Sequence, residues 1–268
     1  MLANGLSKFH RSHTDENHYI VTSYISLGNA LLPMSIAEVI KDNIYLNKVL
    51  SKISFDDSTV KIEFTDQSCC NYDLVVLAIP ASTFESIDFS NIESKLSDIN
   101  AIQYGKNFKI AMPVNLSTAN SYRSVVTDST NHDETIQLVY AHKPISNPSK
   151  FMNITATGFG IPQQEFVNEP LQVTQQNYNV YKEPIMHYWH HDIYSMGSYS
   201  GYSTSSSKEL DNITYHDDTC YKTMFLPIQD TIFFVGEHTT ILECIGTIEA
   251  AVESGERVAQ AIIKKYKK

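Results

Sequence analysis

The sequence predicts a mixed α/β fold, and three stretches carry that prediction. Residues 49–65 alternate apolar and polar side chains with a period of two, the pattern of a hairpin with one buried face. Leu74-Val75-Val76-Leu77-Ala78-Ile79 is apolar without alternation, which suits a strand covered on both sides, as in a parallel sheet. Ile248, Ala251, Val252, Gly255, Ala259, Ile262 and Ile263 recur at helical spacing. With 42% hydrophobic and 19% charged residues among 268, the chain has material for a sizeable core in one large domain or two modest ones.

Taken in order, Leu31, Leu32, Met34, Ile36, Ala37, Val39 and Ile40 predict a helix over about 27–40. Pro33 suits its first turn, where a missing N–H costs no hydrogen bond. Val49, Ser51 and Ile53 then alternate with Leu50, Lys52 and Ser54, and Val60, Ile62 and Phe64 alternate with Lys61, Glu63 and Thr65. Asp56, Asp57 and Ser58 supply the turn between them. A second turn at Asp66-Gln67-Ser68 leads to the unbroken apolar strand, which Pro80 ends. Short strands are expected at 108–112, 136–140 and 152–157, a helix in the Gln-rich stretch 163–179, and a loop in the Ser-, Gly- and Tyr-rich stretch 195–207. Residues 231–235 read as a second buried strand, cut off by Gly236-Glu237-His238. The helix beyond carries Glu249, Glu253, Glu256 and Arg257 on its other faces.

A formal net charge of −10 and a pI near 5.4 exclude a nucleic-acid binder, which needs clustered Lys and Arg. The one basic cluster, Lys264, Lys265, Lys267 and Lys268, reads as a solvated helix end. The longest apolar run, 74–81, is too short to span a bilayer, and the polar start of the chain lacks the apolar core of a signal peptide. A cytoplasmic protein is expected. Four cysteines, two of them adjacent at Cys69 and Cys70, form neither a disulfide framework nor paired metal knuckles, and read as reduced thiols.

The segment from the second buried strand to the last helix carries the chemistry. A strand, a tight Gly-Glu turn, a loop and a helix opening at Gly246 place a helix N-terminus at the carboxyl edge of a sheet, where α/β folds bind ligands. Partial positive charge at that terminus favours an anionic or electron-rich group. An ordinary strand-to-helix connection has the same pattern. His187, His190, His191 and Asp192 offer imidazole and carboxylate ligands for a divalent ion, but match no standard zinc spacing. No G-x-S-x-G elbow supports a serine hydrolase. There are only ten glycines, roughly half the usual share. No G-x-G-x-x-G with an acidic residue about 20 positions on occurs.

Phe233-Phe234-Val235-Gly236-Glu237-His238-Thr239-Thr240, followed by Gly246-Thr247-Ile248-Glu249-Ala250-Ala251-Val252-Glu253-Ser254-Gly255-Glu256-Arg257, resembles the C-terminal flavin-binding signature of the FAD-dependent amine oxidases. Three further segments match in the same order. Tyr188-Trp189 through Tyr194, Ser195, Gly197 and Tyr199 resembles the family's segment before the flavin face. Gly105-Lys106-Asn107-Phe108-Lys109 resembles the segment whose lysine holds a water at flavin N5. The hairpin containing Val49, continued to Asp73 and Pro80, resembles the piece covering the adenine side.

The resemblance implies a partial FAD-binding, Rossmann-like domain interleaved with a mixed-sheet substrate domain. It divides as 22–97 (FAD-binding), 98–191 (substrate-binding) and 192–268 (FAD-binding). It implies cofactor contacts from Val49, Trp189, Tyr194, Gly236, Glu237, Gly246, Thr247 and Ile248, and catalytic roles for Lys109 and Tyr199. Ser198 stands where monoamine oxidases can carry a cysteine bonded to the flavin, so FAD here is expected to be non-covalent. No tyrosine near Thr247 supplies a second wall for an amine cage, which leaves the substrate class open. Without the glycine-rich phosphate loop the main pyrophosphate site is lacking, so a separate polypeptide carrying that dinucleotide-binding half is the expected partner, alongside a small-molecule amine. Two readings follow: a subunit that oxidises an amine to an imine with FAD and O2, or a non-catalytic interaction subunit of an amine oxidase-like complex.

Overall fold

The computed structural model describes residues 30–56, 58–90, 102–115, 136–142, 151–160, 179–180, 182–201 and 212–267, together with Ile92, Leu96 and Ile99. The helix expected over 163–179 lies almost wholly outside these residues. Helix α1 is Leu31–Val39, with Pro33 in its first turn as expected, but none of its residues is buried, and Met34, Ile36 and Val39 stand in solvent.

The predicted hairpin forms as β1 (Leu50–Asp56) and β2 (Thr59–Phe64), antiparallel, with Ile53 opposite Ile62 and Phe55 opposite Val60. A third strand, β3 (Cys69–Tyr72), extends it beyond the Asp66-Gln67-Ser68 turn. No local pattern marks this strand, because all four residues of β3 are exposed and no face alternates. The apolar run becomes β4 (Val75–Leu77), followed after Pro80 by a 3-10 helix at Ala81–Ser86.

The middle of the chain forms a separate antiparallel sheet. After the short β5 (Gln103–Tyr104) come β6 (Asn107–Asn115), β7 (Ile136–His142), β8 (Phe151–Phe159), β9 (Asn179–Val180) and β10 (Ile185–Tyr188), in the order β10-β6-β8-β7 with β9 also on β6. β6 pairs with β8 along its whole length. On its other edge β10 covers 108–111 and β9 covers 114–115, so Pro113, which has no N–H to give, falls at the break between them. Phe108, Ile110, Met112 and Val114 point to one face and are fully buried.

The chain then returns through β11 (Ser200–Gly201), which pairs with β5, and the hairpin β12 (Ile213–His216) and β13 (Thr219–Lys222). Asp217 and Asp218 turn that hairpin with positive φ, the geometry of a type I′ turn. β14 (Ile232–Phe234) runs parallel to β4, with Ile232 opposite Val75 and Phe234 opposite Leu77. The two apolar runs of the sequence are therefore neighbours in one parallel pair. One face of the pair joins a core of Ile53, Val60, Phe84, Phe89 and Phe225; the other packs Phe233 and Val235 on Tyr221 and Val258.

Helix α2 (Ile248–Tyr266) closes the described chain, and its orientation reverses the expectation. Its buried residues are Ala250, Ser254 and Val258, whereas Ile248, Val252, Ala259 and Ile263 are exposed. Glu253 and Arg257, read from the spacing as lying on other faces than the apolar stripe, face inward. These two side chains tie α2 to β13 and to the loop after β14: Arg257 Nη2 donates to Thr239 O at 2.9 Å and Nη1 to Cys220 O of β13 at 3.2 Å, while Glu253 Oε2 accepts from Thr240 Oγ1 at 2.6 Å. Burial alone raises the Glu253 carboxyl, but the hydrogen bonds from Arg257 and Thr240 outweigh it and hold the group below its ordinary range. No helix among the described residues is long and apolar enough to cross a membrane.

Candidate functional site

The carboxyl ends of β4 and β14 open on one side, and three pieces of chain meet there. The first is the turn leaving β14. Gly236 has φ +135°, and a Cβ on it would come within 2.5 Å of the His238 ring, so only glycine lets that ring tuck beneath the turn. His238 is buried against Phe225, ring centroids 5.2 Å apart, and burial pushes its imidazole down to about 4, so it is neutral at pH 7. The Gly236 N–H donates to Ser254 Oγ at 2.9 Å, which pins the turn to α2.

The second piece is the loop from Trp189 to Gly201. Ser82 Oγ, just past the end of β4, donates to Ser195 O at 2.5 Å, and the Ala81 N–H donates to Tyr104 Oη at 2.9 Å. Gly105 and the loop exchange backbone bonds, Gly105 N to Tyr199 O at 3.1 Å and Ser198 N to Gly105 O at 2.8 Å. Asn107 Nδ2 donates to Ser198 Oγ at 2.7 Å. Within the loop, Asp192 accepts from the Tyr194 and Ser195 N–H groups, and the Tyr194 bond foremost holds its carboxyl below the ordinary range.

Glu237 joins these to the third piece, the start of α2. Its Oε1 accepts the Ser200 N–H at 2.7 Å, and its Oε2 accepts from Ser200 Oγ and the Gly246 N–H, each at 2.8 Å. That clasp lays Tyr199 on Gly246: with φ +75°, Gly246 has no room for a Cβ, which would lie 3.0 Å from Tyr199 Cβ, Cγ and Cδ2. Thr247 caps the helix, its Oγ1 accepting the Ala250 N–H at 3.1 Å and donating to Cys244 O at 2.8 Å. Thr247 and Ile248 are exposed at the start of α2, next to the Gly246 on which Tyr199 lies.

Six of the residues singled out from sequence therefore converge: Tyr199, Gly236, Glu237, Gly246, Thr247 and Ile248. Trp189 and Tyr194 share the loop with Tyr199, Trp189 half-buried with its ring edge-on to His187 at 4.3 Å and Tyr194 exposed. Lys109 lies on β6, opposite His187 of β10 and Thr157 of β8, exposed on the face away from the Phe108 core. Val49 stands apart at the mouth of the meander, its carbonyl accepting the Thr65 N–H. The His187 group does not close on an ion; among the described residues the three side chains within ligating reach of one another are His216, Asp217 and Asp230. There His216 and Lys265 both bond Asp230 and hold its carboxyl low.

Ser200, Ser254 and His238 are the residues that sequence reasoning missed. Their partners lie 37 and 18 positions away for the two serines, and no local pattern announces such bonds.

The donor set fits a flavin. Helix-start N–H groups stabilise negative charge on an electron-rich group, two positive-φ glycines let backbone approach closely, and one aromatic wall stands beside them. A family-wide sequence pattern, flavin containing amine oxidoreductase, matches residues 6–263. Putrescine oxidase bound to putrescine aligns with a TM-score of 0.69 at 14% identity, over 93% of this chain and 56% of that one. Cyclohexylamine oxidase from Brevibacterium oxydans IH-35A aligns with a TM-score of 0.63 at 15% identity, over 90% and 53%. The chain thus spans little more than half the length of these solved structures. Comparison with curated protein sequences yields no match.

Proposed function

The chain belongs to the flavin-containing amine oxidoreductase family, and from that premise we propose that it is the flavin-facing half of an FAD-dependent amine oxidase, completed by a separate polypeptide that carries the G-x-G-x-x-G half. In this reading residues 22–97 and 192–268 form the FAD-binding parts and 98–191 the substrate-binding part. The protein works in the cytoplasm on a small amine. The observation that carries it is the Glu237 clasp, which sets Tyr199 and the opening of α2 side by side at the carboxyl ends of β4 and β14.

Each residue then has a task. Thr247 and Ile248 would offer backbone N–H groups to the electron-rich edge of a bound flavin, and Gly236 and Glu237 would hold its ribityl side. Glu237 Oε1 retains acceptor capacity for a hydroxyl beyond the Ser200 N–H. Trp189 and Tyr194 line the approach, Val49 covers the adenine side, and Tyr199 forms one wall for a neutral amine. Lys109 orders the water through which oxygen is reduced. Bound non-covalently, FAD supplies the two-electron acceptor. The net reaction converts an amine and O2 to an imine and H2O2, and the imine then hydrolyses to a carbonyl compound and ammonia or an amine.

The test is peroxide release from a panel of amines by the assembly purified through this chain from its own cells. The expected result is a yellow complex that releases peroxide, with Lys109→Met lowering turnover or reoxidation while FAD stays bound. A colourless, inactive complex contradicts the enzyme reading and favours the interaction-subunit reading.

A further inference from the structure

Lys109 and Tyr199 stand on different pieces of chain, and His187 sits where those pieces meet. β10 pairs with β6 so that Tyr188 lies opposite Phe108 and His187 opposite Lys109. Tyr188 and Phe108 are buried, so by the alternation of both strands His187 and Lys109 share the opposite, exposed face. Residues directly opposed on one face of an antiparallel pair have Cβ atoms about 5 Å apart. Lys109 is thus the middle of a row, with His187 on one side and Thr157 of β8 on the other.

His187 is in turn held from the loop that carries Tyr199. Its Nε2 lies 3.5 Å from Asp192 Oδ2, and the Trp189 ring stands edge-on to its imidazole. Asp192 is fixed in place, because its Oδ1 accepts the Tyr194 N–H at 2.9 Å and the Ser195 N–H at 3.0 Å. A carboxylate can only accept, so beside a neutral imidazole it takes the Nε2–H and leaves Nδ1 as the bare, accepting nitrogen. A lysine can only donate. The nitrogen that Asp192 leaves bare therefore suits a donor from Lys109. The same logic orients a histidine wherever a carboxylate holds one ring nitrogen and the other acts on a third group. From β6 the imidazole faces Lys109 and from the loop Asp192, while Thr157, beyond Lys109, does not titrate.

We propose that His187, held by Asp192, is a positioning residue for Lys109: its Nδ1 accepts from the Lys109 amino group, directly or through one water, and so fixes that group relative to the Trp189–Gly201 loop. The effect on turnover rests on the enzyme reading above; the contact itself does not. Protonation of His187 fills Nδ1 and sets a second cation beside Lys109, so the hold exists while the imidazole is neutral and is lost when it is charged.

The contact is read first in the isolated full chain, with no flavin present, by NMR of histidine- and lysine-labelled protein assigned through His187→Gln and Lys109→Met. Circular dichroism checks that each variant keeps the wild-type fold. Expected are an Nε2–H tautomer at His187, a mixture of tautomers in Asp192→Asn, and a Lys109 ε-carbon resonance that moves as His187 titrates in wild type and stays put in His187→Gln. A tautomer indifferent to Asp192→Asn, or a Lys109 resonance indifferent to His187, overturns the inference. The pH profile of flavin reoxidation by O2 in the assembled complex then reads the consequence. His187→Leu should slow it by about tenfold to a hundredfold, the scale of a small misplacement, and abolish its acid limb. His187→Gln, a neutral acceptor that cannot titrate, should recover part of the rate with a flat acid side. Lys109→Met with His187→Leu should be no slower than Lys109→Met alone, since His187 acts through Lys109; losses that add, as a merely structural role would give, overturn the inference. A colourless assembly in which the NMR contact is present sinks the enzyme reading and leaves the contact standing. A yellow, active assembly without the contact sinks this inference alone.

Discussion

The antiparallel sheet around β6 and the parallel pair of β4 and β14 solve the same problem to different degrees. β6 is flanked on both edges along nearly its whole length, and its inward side chains reach complete burial. Among the described residues β4 is flanked on one edge only, Val76 stands half in solvent, and the helix above turns an apolar stripe outward. Yet the second region holds the polar work of the molecule, with Glu237, Glu253, Ser254 and Arg257 all bonded to the loops that shape the site. The interior of this half is finished and its exterior is not.

Matched truncations sharpen the contrast most. Phe108→Ala, in the closed sheet, should cost about 4 kcal/mol in denaturant unfolding of the isolated chain, from lost transfer energy and the cavity left behind. Ile263→Ala on the outward stripe should cost less than about 0.5 kcal/mol, since the side chain is already half in water. Equal costs would erase the distinction between the two regions.

The buried imidazole of His238 gives the next largest effect. Its folded value is depressed to about 4 from 6.5, so the neutral form belongs to the folded state and the unfolded chain binds the proton first. Stability is whole above about pH 6.5 and falls by up to about 3 kcal/mol as pH drops toward 4. The lowered carboxyls, Asp192, Asp230 and Glu253 among them, add their own losses only as pH falls through the acid range below that window. Unfolding curves at pH 7 and pH 4.5 measure it, and His238→Gln should flatten the difference; an unchanged pH profile would place the imidazole in water.

A smaller effect tests the clasp. Glu237→Gln replaces an acceptor of three donors by a group with one acceptor oxygen, and should cost about 2 kcal/mol. Hydrogen exchange should quicken at Gly246 and Ser200 with the β6 sheet unaffected.

Much of the fold was legible because the signals are local. Alternation marked β1 and β2, unbroken apolar runs marked β4 and β14, and helical spacing marked α2. What the spacing of α2 did not tell was which side would be buried, because an apolar stripe meant for a neighbour reads like one meant for the core. The hairpin of β12 and β13 was missed because Asp217-Asp218 is a weak signal for a turn that usually takes Asn-Gly or Asp-Gly. In the site, the wording around Gly236 and Gly246 pointed to flavin chemistry through family resemblance. The bonds of Glu237 to Ser200, by contrast, span 37 residues and exist only once the sheets have assembled.

We propose that the flavin-facing residues lie in this chain and the phosphate-binding ones in a separate polypeptide. Titration of FAD into the isolated chain and into the captured complex, followed by flavin absorbance and fluorescence, tests it most directly. Expected are weak, non-saturating binding by the chain alone and one tightly held, non-covalent FAD per assembled pair. Tight stoichiometric FAD on the isolated chain would contradict it.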